Sequence, residues 1–295
     1  MSDPATLTDA FEAHRAHLRS VAYRMLGSLT EADDAVQETW IRVRRAGTAD
    51  VENLGGWLTT VTARICLNAL RSRRARPEEP FAEHLPEPIV DPADGSDPEH
   101  EALLADSVGL ALLVVLDTLS PAERLSFVLH DMFAVPFEEI AAITDRSPAA
   151  ARQLASRARR RVQGAAPVPD PDLARQREVV DAFMAASRDG DFDRLVAVLD
   201  PDVVLRAQTA GGVRQQIRGA AVVAGEALFW SRTLGKGLER RPVLVNGAAG
   251  VVALRDGSPV SLMGCTVVDG RIVAIDIIAD RRRLAGMDLG DVVGP

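Results

Sequence analysis

The stretch from Leu119 to Val162, LSPAERLSFVLHDMFAVPFEEIAAITDRSPAAARQLASRARRRV, decides how the chain is read. Its first helix opens at Ser120-Pro121, a serine N-cap followed by proline at the first helical position, where a missing N–H costs nothing. Glu123 sits three residues on and can close a capping box with Ser120. Leu125, Val128 and Leu129 follow at helical spacing. A short second helix over Phe137–Ile143 turns Ile140, Ala141 and Ile143 inward. The turn Thr144-Asp145-Arg146 leads to another Ser-Pro start at Ser147-Pro148. In the last helix Ala151, Leu154, Ala155, Ala158 and Val162 form the apolar side, and Arg152, Gln153, Ser156, Arg157 and Arg160 form the other.

Two short helices, a tight turn and a basic final helix make a helix-turn-helix unit. Arg and Gln can make bidentate contacts to base edges, Ser can bond base or phosphate, and further arginines neutralise phosphates. A solvated arginine-rich face would show the same pattern, so the rest of the chain has to decide.

Working outward, the 295 residues suffice for two or three domains with their own cores. The net charge of −8 argues against nucleic acid only until it is divided along the chain. Residues 1–76 hold 11 basic and 9 acidic side chains, and residues 77–101 hold none and 9. Residues 102–164 balance at 7 and 7, and residues 165–295 carry 16 and 17. One acidic segment carries the excess. The start of the chain shows no basic, apolar leader, and no run has the length of a membrane helix. Cys66 and Cys265 lie far apart and read as buried free thiols of a reducing cytoplasm. The five histidines have no metal-ligand spacing.

Residues 8–76 read as all-helical. Leu18, Val21, Ala22, Met25 and Leu26 form a stripe broken at Gly27-Ser28. A new helix near Thr30, with Asp33 as its capping partner, packs Ala35, Val36, Thr39, Trp40 and Val43 and turns Glu31, Asp33, Asp34 and Glu38 outward. It ends in Arg42, Arg44 and Arg45, as the helix dipole favours. After the turn Asn53–Gly56, Trp57 opens a helix to about Arg74. Its polar side carries Thr59, Thr60, Thr62, Arg64, Asn68, Arg71, Arg73, Arg74 and Arg76, with Trp57 either stacking on nucleotides or serving as core. Residues 77–100 form an acidic, proline-rich linker in which Phe81, Leu85 and Ile89 are apolar islands fit to dock on a neighbouring domain. A helix over 101–118 precedes the helix-turn-helix unit.

Beyond a second linker at 164–171 the texture changes to α+β. Helices at 174–186, 192–199 and 219–234 are followed by the strands RPVLVN, GVVALR, PVSLMGCTVV and RIVAIDIIA, expected to curl into an antiparallel sheet. Asp269-Gly270 between two apolar runs signals a hairpin.

With these residues in view, residues 8–163 resemble an extracytoplasmic-function sigma factor of the sigma-70 family. DDAVQETWIRV looks like the region 2 helix that grips the polymerase clamp. TARICLNALRSRRAR looks like the helix that reads and opens the −10 element, and the opening stretch looks like region 4, which reads the −35 element. The resemblance implies core-binding roles for Asp33, Asp34, Glu38 and Trp40. It implies −10 DNA roles for Trp57, Asn68, Arg71, Arg73 and Arg74, and −35 DNA roles for Arg152, Gln153, Ser156, Arg157 and Arg160. The implied partners are RNA polymerase core, through the β′ clamp helices and the β flap, and promoter DNA. No membrane partner, cofactor or metal is implied, nor any catalytic residue.

Residues 172–285, before a tail at 286–295, resemble the SnoaL-like (nuclear transport factor 2-like) cone fold that one sigma subgroup carries after region 4. The linker keeps Leu85-Pro86-Glu87-Pro88 of that subgroup's WLPEP motif, with His84 in place of Trp. Its glycine-rich loop appears as Ala210–Arg214 and its NPDKL stretch as Asp280–Leu284. The expected architecture is therefore multidomain: two all-α sigma domains, at 8–76 and 101–163, plus a cone domain. The cone domain would regulate in cis, with a small ligand as a further candidate partner. Arg281–Arg283 read as a contact to the acidic linker or, slightly favoured, as a solvated tail.

Two other classes stand beside this reading. Cone folds also host enzymes, and fold alone does not license function. This cone has no His and no Tyr, and Asp276 is the carboxylate whose strand alternation would aim it into a cone, a solvated strand aspartate being the plainer account. A helix-turn-helix repressor or activator with a ligand-sensing domain is the other, although it would need no acidic polymerase-docking helix.

Overall fold

The computed structural model describes residues 4–46, 51–75, 85–95, 109–209, 214–289 and 292. The chain forms two compact units. One comprises residues 1–82, 98–106 and 113–165, and the other residues 83–97, 107–112 and 166–295. The chain leaves the first unit for the second midway and then returns.

In the first unit, α1 (Pro4–Leu26), α2 (Leu29–Ala46) and α3 (Leu54–Ala75) form a bundle. Gly27 ends α1 at φ 73°, a conformation that costs glycine nothing. The α2 cap is Ser28, whose hydroxyl accepts the Glu31 amide at 3.3 Å. The expected Thr30–Asp33 box is not used, and Asp33 instead pairs with Arg19. Phe11, Leu18, Val36, Val43 and Leu58 make the core, with Trp40 and Trp57 packed at its edge. Thr59 and Thr62, read as polar-face residues, point inward. The Thr62 hydroxyl meets that of Thr39 at 3.0 Å, and each also bonds its own helix four residues back. A hydroxyl satisfied this way can be buried without an orphaned donor.

The same unit holds α4 (Leu110–Asp117, whose last five residues belong here), α5 (Pro121–Phe127), α6 (Phe137–Thr144) and α7 (Pro148–Ala165). The Ser120–Glu123 capping box forms in full. One feature is absent from the periodicity: α5 widens into a π-turn over Val128–Met132. Asp145 takes the left-handed conformation that closes α6, which makes the tight turn.

The second unit begins with α8 (Leu173–Asp189) and α9 (Phe192–Val198). A mixed sheet follows, built from β2 (Leu199–Gln208), β3 (Arg214–Arg218), β4 (Glu239–Val245), β5 (Ala248–Arg255), β6 (Ser258–Val268) and β7 (Arg271–Ile278). The helix α10 (Ala220–Leu234) links β3 to β4, and α11 (Arg281–Ala285) follows β7. The sheet is not purely antiparallel, because β2 pairs parallel to β7. Asn246-Gly247, Asp256-Gly257 and Asp269-Gly270 each place both residues at positive φ, the type I′ geometry that suits twisted hairpins. The last turn is fastened by the Asp170 carboxylate, which accepts the amides of Asp269 and Gly270 at 3.0 and 3.1 Å. Those two amides hold its pKa below the ordinary 3.8.

One sheet face meets the helices through Val180, Phe183, Leu195 and Val223 against Leu205, Val251, Cys265 and Ile275. Arg206 and Asp276 alternate with these residues and so lie on the opposite face. There they form a buried bidentate pair, Nε–Oδ1 2.6 Å and Nη2–Oδ2 3.0 Å. Asp276 is thus neither a solvated strand residue nor aimed into the cone.

The linker supplies the seventh strand. Residues Val90–Pro92, β1, pair antiparallel with β4 at the sheet edge. Leu85 and Ile89 are fully buried, as their apolar character suggested, while Phe81 and His84 lie outside the described residues. The Leu85 amide donates to Gln208 at 3.1 Å, and Ile89 exchanges two bonds with Asn246. Arg283 donates to the Leu85 carbonyl and to Gln208, and Arg177 to the Ala93 carbonyl. Arg283 is therefore a clamp rather than a solvated tail. The eleven residues Leu85–Gly95 form a strap sewn onto the second unit. The Ala210–Val213 loop lies outside the described residues.

Candidate nucleic-acid and polymerase interface

The face of α7 follows from its small residues. Ala151, Ala155 and Ala158 are fully buried and let the helix pack closely on α5 and α6. Arg152, Gln153, Ser156, Arg157 and Arg160 consequently all emerge on the exposed side, within about 12 Å of helix length. Arg152 lies over the Phe137 ring at 5.1 Å, which steadies the first of them. The neighbouring cations face elsewhere. Arg159 pairs with Asp131 and Arg161 with Glu123, tying α7 to the rest of the unit. Burial pushes the Glu123 carboxyl up, but the Ser120 hydroxyl and amide and the nearby Arg161 outweigh it and hold the pKa below the ordinary value.

On α3 the structure divides the expected set. Asn68, Arg71 and Arg74 are exposed along one side of the C-terminal half. Arg73 turns the other way, donating to the Leu26 carbonyl and pairing with Glu31. Trp57 is half-buried against the Phe11 cluster and lies about 20 Å along the helix from Arg71. The structure thus does not gather Trp57 with the arginines. On α2, Asp33 is held by Arg19 and Glu38 by Arg42, and Asp34 is exposed. Trp40 packs on Phe11 with ring centroids 4.9 Å apart.

The periodicity gave no hint of how α1–α3 and the helix-turn-helix block meet within this unit. Arg64 donates to the Ala142 carbonyl at 3.0 Å and Arg74 to the Leu119 carbonyl at 2.7 Å. In return Arg124 donates to the Arg24 carbonyl at 3.0 Å. Each arginine caps carbonyls at or near the end of a helix in the other block, where acceptors lack intrahelical partners. The Arg24 guanidinium stacks over Phe133 at 4.9 Å, and His17 meets the same ring edge-on. Burial, with His14 and Arg24 nearby, keeps the His17 pKa below 6.5. Arg124 is 2% exposed, pairs with Asp117, and has a buried Nη2 with no acceptor among the described residues. The sequence carries a sign of this: Arg124 sits at an inward helical position, between Pro121 and Leu125–Val128.

Comparisons with known proteins cover both helical blocks of this unit. Residues 10–76 match the model of Sigma-70 region 2 and residues 109–162 that of Sigma-70 region 4. The ECF RNA polymerase sigma factor SigJ of Mycobacterium tuberculosis is 40% identical over 294 residues, covering 95% of this chain and 93% of the relative. The chain belongs to the extracytoplasmic-function sigma factors. A second M. tuberculosis relative, the probable ECF RNA polymerase sigma factor SigI, is 36% identical over 282 residues, covering 94% of both chains. The crystal structure of M. tuberculosis SigJ superimposes with a TM-score of 0.78 at 36% identity, over 96% of this chain and all of that one. In this sigma factor α1–α3 form region 2 and α4–α7 region 4. The second unit is an α+β domain, a mixed seven-stranded sheet packed on helices, that also incorporates part of the chain between the two regions.

Proposed function

We propose that this chain directs RNA polymerase core to promoters carrying specific −10 and −35 elements and adds no catalysis of its own. The observation that carries this is the exposed α7 face of Arg152, Gln153, Ser156, Arg157 and Arg160, in a chain that also has region 2. These five side chains read the −35 major groove. Asn68, Arg71 and Arg74 meet −10 DNA, with Arg73 setting their helix and Trp57 at its far end. Asp33, Asp34, Glu38 and Trp40 meet the polymerase clamp. The workplace is the cytoplasm, where polymerase and DNA are, and no helix among the described residues is long and apolar enough to cross a membrane.

The compact first unit is a resting form in this reading. The −35 and −10 elements lie about 25 base pairs apart, on the order of 85 Å of duplex at 3.4 Å per pair. A compact unit of this size is on the order of 40 Å across. Regions 2 and 4 therefore separate to engage both elements. The SnoaL-like domain regulates that step in cis by holding the strap, since the strap lies in the tether that must pay out. Enzymatic use of this domain is disfavoured, because the Asp276 carboxylate is committed to Arg206 on the face away from the cone interior.

Run-off transcription tests the proposal, with polymerase core, full-length protein and a promoter selected by genomic binding. Initiation that depends on the protein and falls with Arg152→Ala and Arg157→Ala supports it. Tight promoter binding without polymerase-dependent initiation would instead favour a ligand-sensing helix-turn-helix regulator.

A further inference from the structure

Where the strap leaves the sheet edge, a cavity of about 260 Å³ opens between α8 and the β4–β5 strands. Its floor is apolar, formed by Val180, Val243 and Ala249, and the strap residue Ala93 forms one wall. Arg177 is the cation inside it. Its Nη2 donates to the Ala93 carbonyl, whereas its buried Nε has no acceptor among the described residues. Half of a planar two-donor edge is thus used on a neutral carbonyl and the other half is idle. The arginine is held in place, because the adjacent Gln176 is buried and bonds both the Asp170 carbonyl and the Ala249 amide. The carboxylates of Asp94 and Asp181 stand exposed at the rim.

We propose that this cavity binds a small amphiphilic monocarboxylate, whose carboxylate takes the Nε–Nη2 edge of Arg177 and thereby displaces the strap carbonyl of Ala93. A carboxylate matches both donors bidentately, which a single carbonyl cannot. The apolar floor takes a short hydrocarbon tail, and the two rim carboxylates disfavour a second negative charge on the ligand. Ligand and strap compete for one guanidinium, so the ligand binds the released strap better than the fastened one. That difference is what a population shift requires. The site stands on the geometry of the second unit alone. Its consequence for transcription rests on the proposed sigma function.

Octanoate is the probe, titrated calorimetrically into the full-length protein, with hydrogen exchange followed in peptides spanning Pro88–Gly95. Octanoate should bind in the millimolar range or tighter, and octanamide about tenfold more weakly. Saturation should speed exchange in the strap several-fold. Arg177→Gln should lose binding and exchange fast with or without octanoate. Asp181→Asn, an exposed change that leaves the fold alone, should tighten binding about twofold by removing a like charge. Equal binding of octanamide, unchanged binding by Arg177→Gln or Asp181→Asn, absence of binding at millimolar octanoate, or strap exchange indifferent to saturation would each overturn the proposal. None of these readouts involves polymerase, so failure here is distinct from failure of the sigma reading.

Discussion

The two units bury arginines in opposite ways. In the second unit Arg206 meets Asp276 through two parallel bonds in a site that excludes water. In the first, Arg124 is equally buried but spends its bonds on the Arg24 carbonyl and on Asp117, whose side chain is 30% exposed. A matched, fully buried pair is costly to break because the survivor is left uncompensated. Arginines on carbonyls at helix ends have an easy alternative in water, which solvates the charge and the carbonyl alike. One arrangement locks a domain, and the other closes a joint that can be reopened.

The largest effect that would test this contrast is Asp276→Ala, expected to cost about 3–5 kcal/mol in urea unfolding of the full-length protein. Replacing both partners together, Arg206→Met with Asp276→Leu, should bring stability back to within about 1 kcal/mol of the parent. If the single change cost no more than the double one, the pair would not be a lock. Next comes Ile89→Ala, which empties a fully buried site under the strap. It should weaken strap attachment by about 2–4 kcal/mol, read as proteolytic cleavage between Leu85 and Gly95.

Arg124→Met should move the stability of the first unit by only about 1 kcal/mol in either direction, despite burial as deep as that of Arg206. A loss approaching that of Asp276→Ala would erase the contrast. Arg64→Ala, at an exposed joint contact, should cost about 1 kcal/mol or less and raise the open fraction seen by small-angle scattering. Smallest is a pH effect through His17. Its folded pKa is lowered, so its contribution is complete above the unfolded value of 6.5 and is lost as pH falls through the folded value. Mild acidification should therefore loosen the contact with Phe133, an effect that His17→Gln should abolish.

Much of this was legible because it is local. The Ser120-Pro121 and Ser147-Pro148 caps, the outward set on α7 and the last four strands each follow from spacing within a dozen residues. The apolar islands Leu85 and Ile89 also declared themselves, without saying what would cover them. What stayed hidden depends on partners far along the chain. Thr59 and Thr62 read as surface until His17 and Thr39 are brought to them. Asp276 read as a lone carboxylate because Arg206 lies 70 residues earlier. The parallel β2–β7 pairing and the arginine-capped joint have no local signature at all. Both cysteines were read as buried thiols, and burial pushes each pKa to about 12, which leaves them inert toward alkylation in the folded protein.

The strap also sets an order of events during synthesis. Val90 pairs with Val245, so at about 5–20 residues per second the ribosome needs roughly 8–30 s more before the partner strand exists. Region 2 is complete when that interval opens and region 4 by about its midpoint, while Leu85, Ile89 and Val90 have nothing to rest on. Each newly made molecule thus passes through an unstrapped youth, long enough on the timescale of small-domain folding for the sigma regions to settle before the strap is fastened.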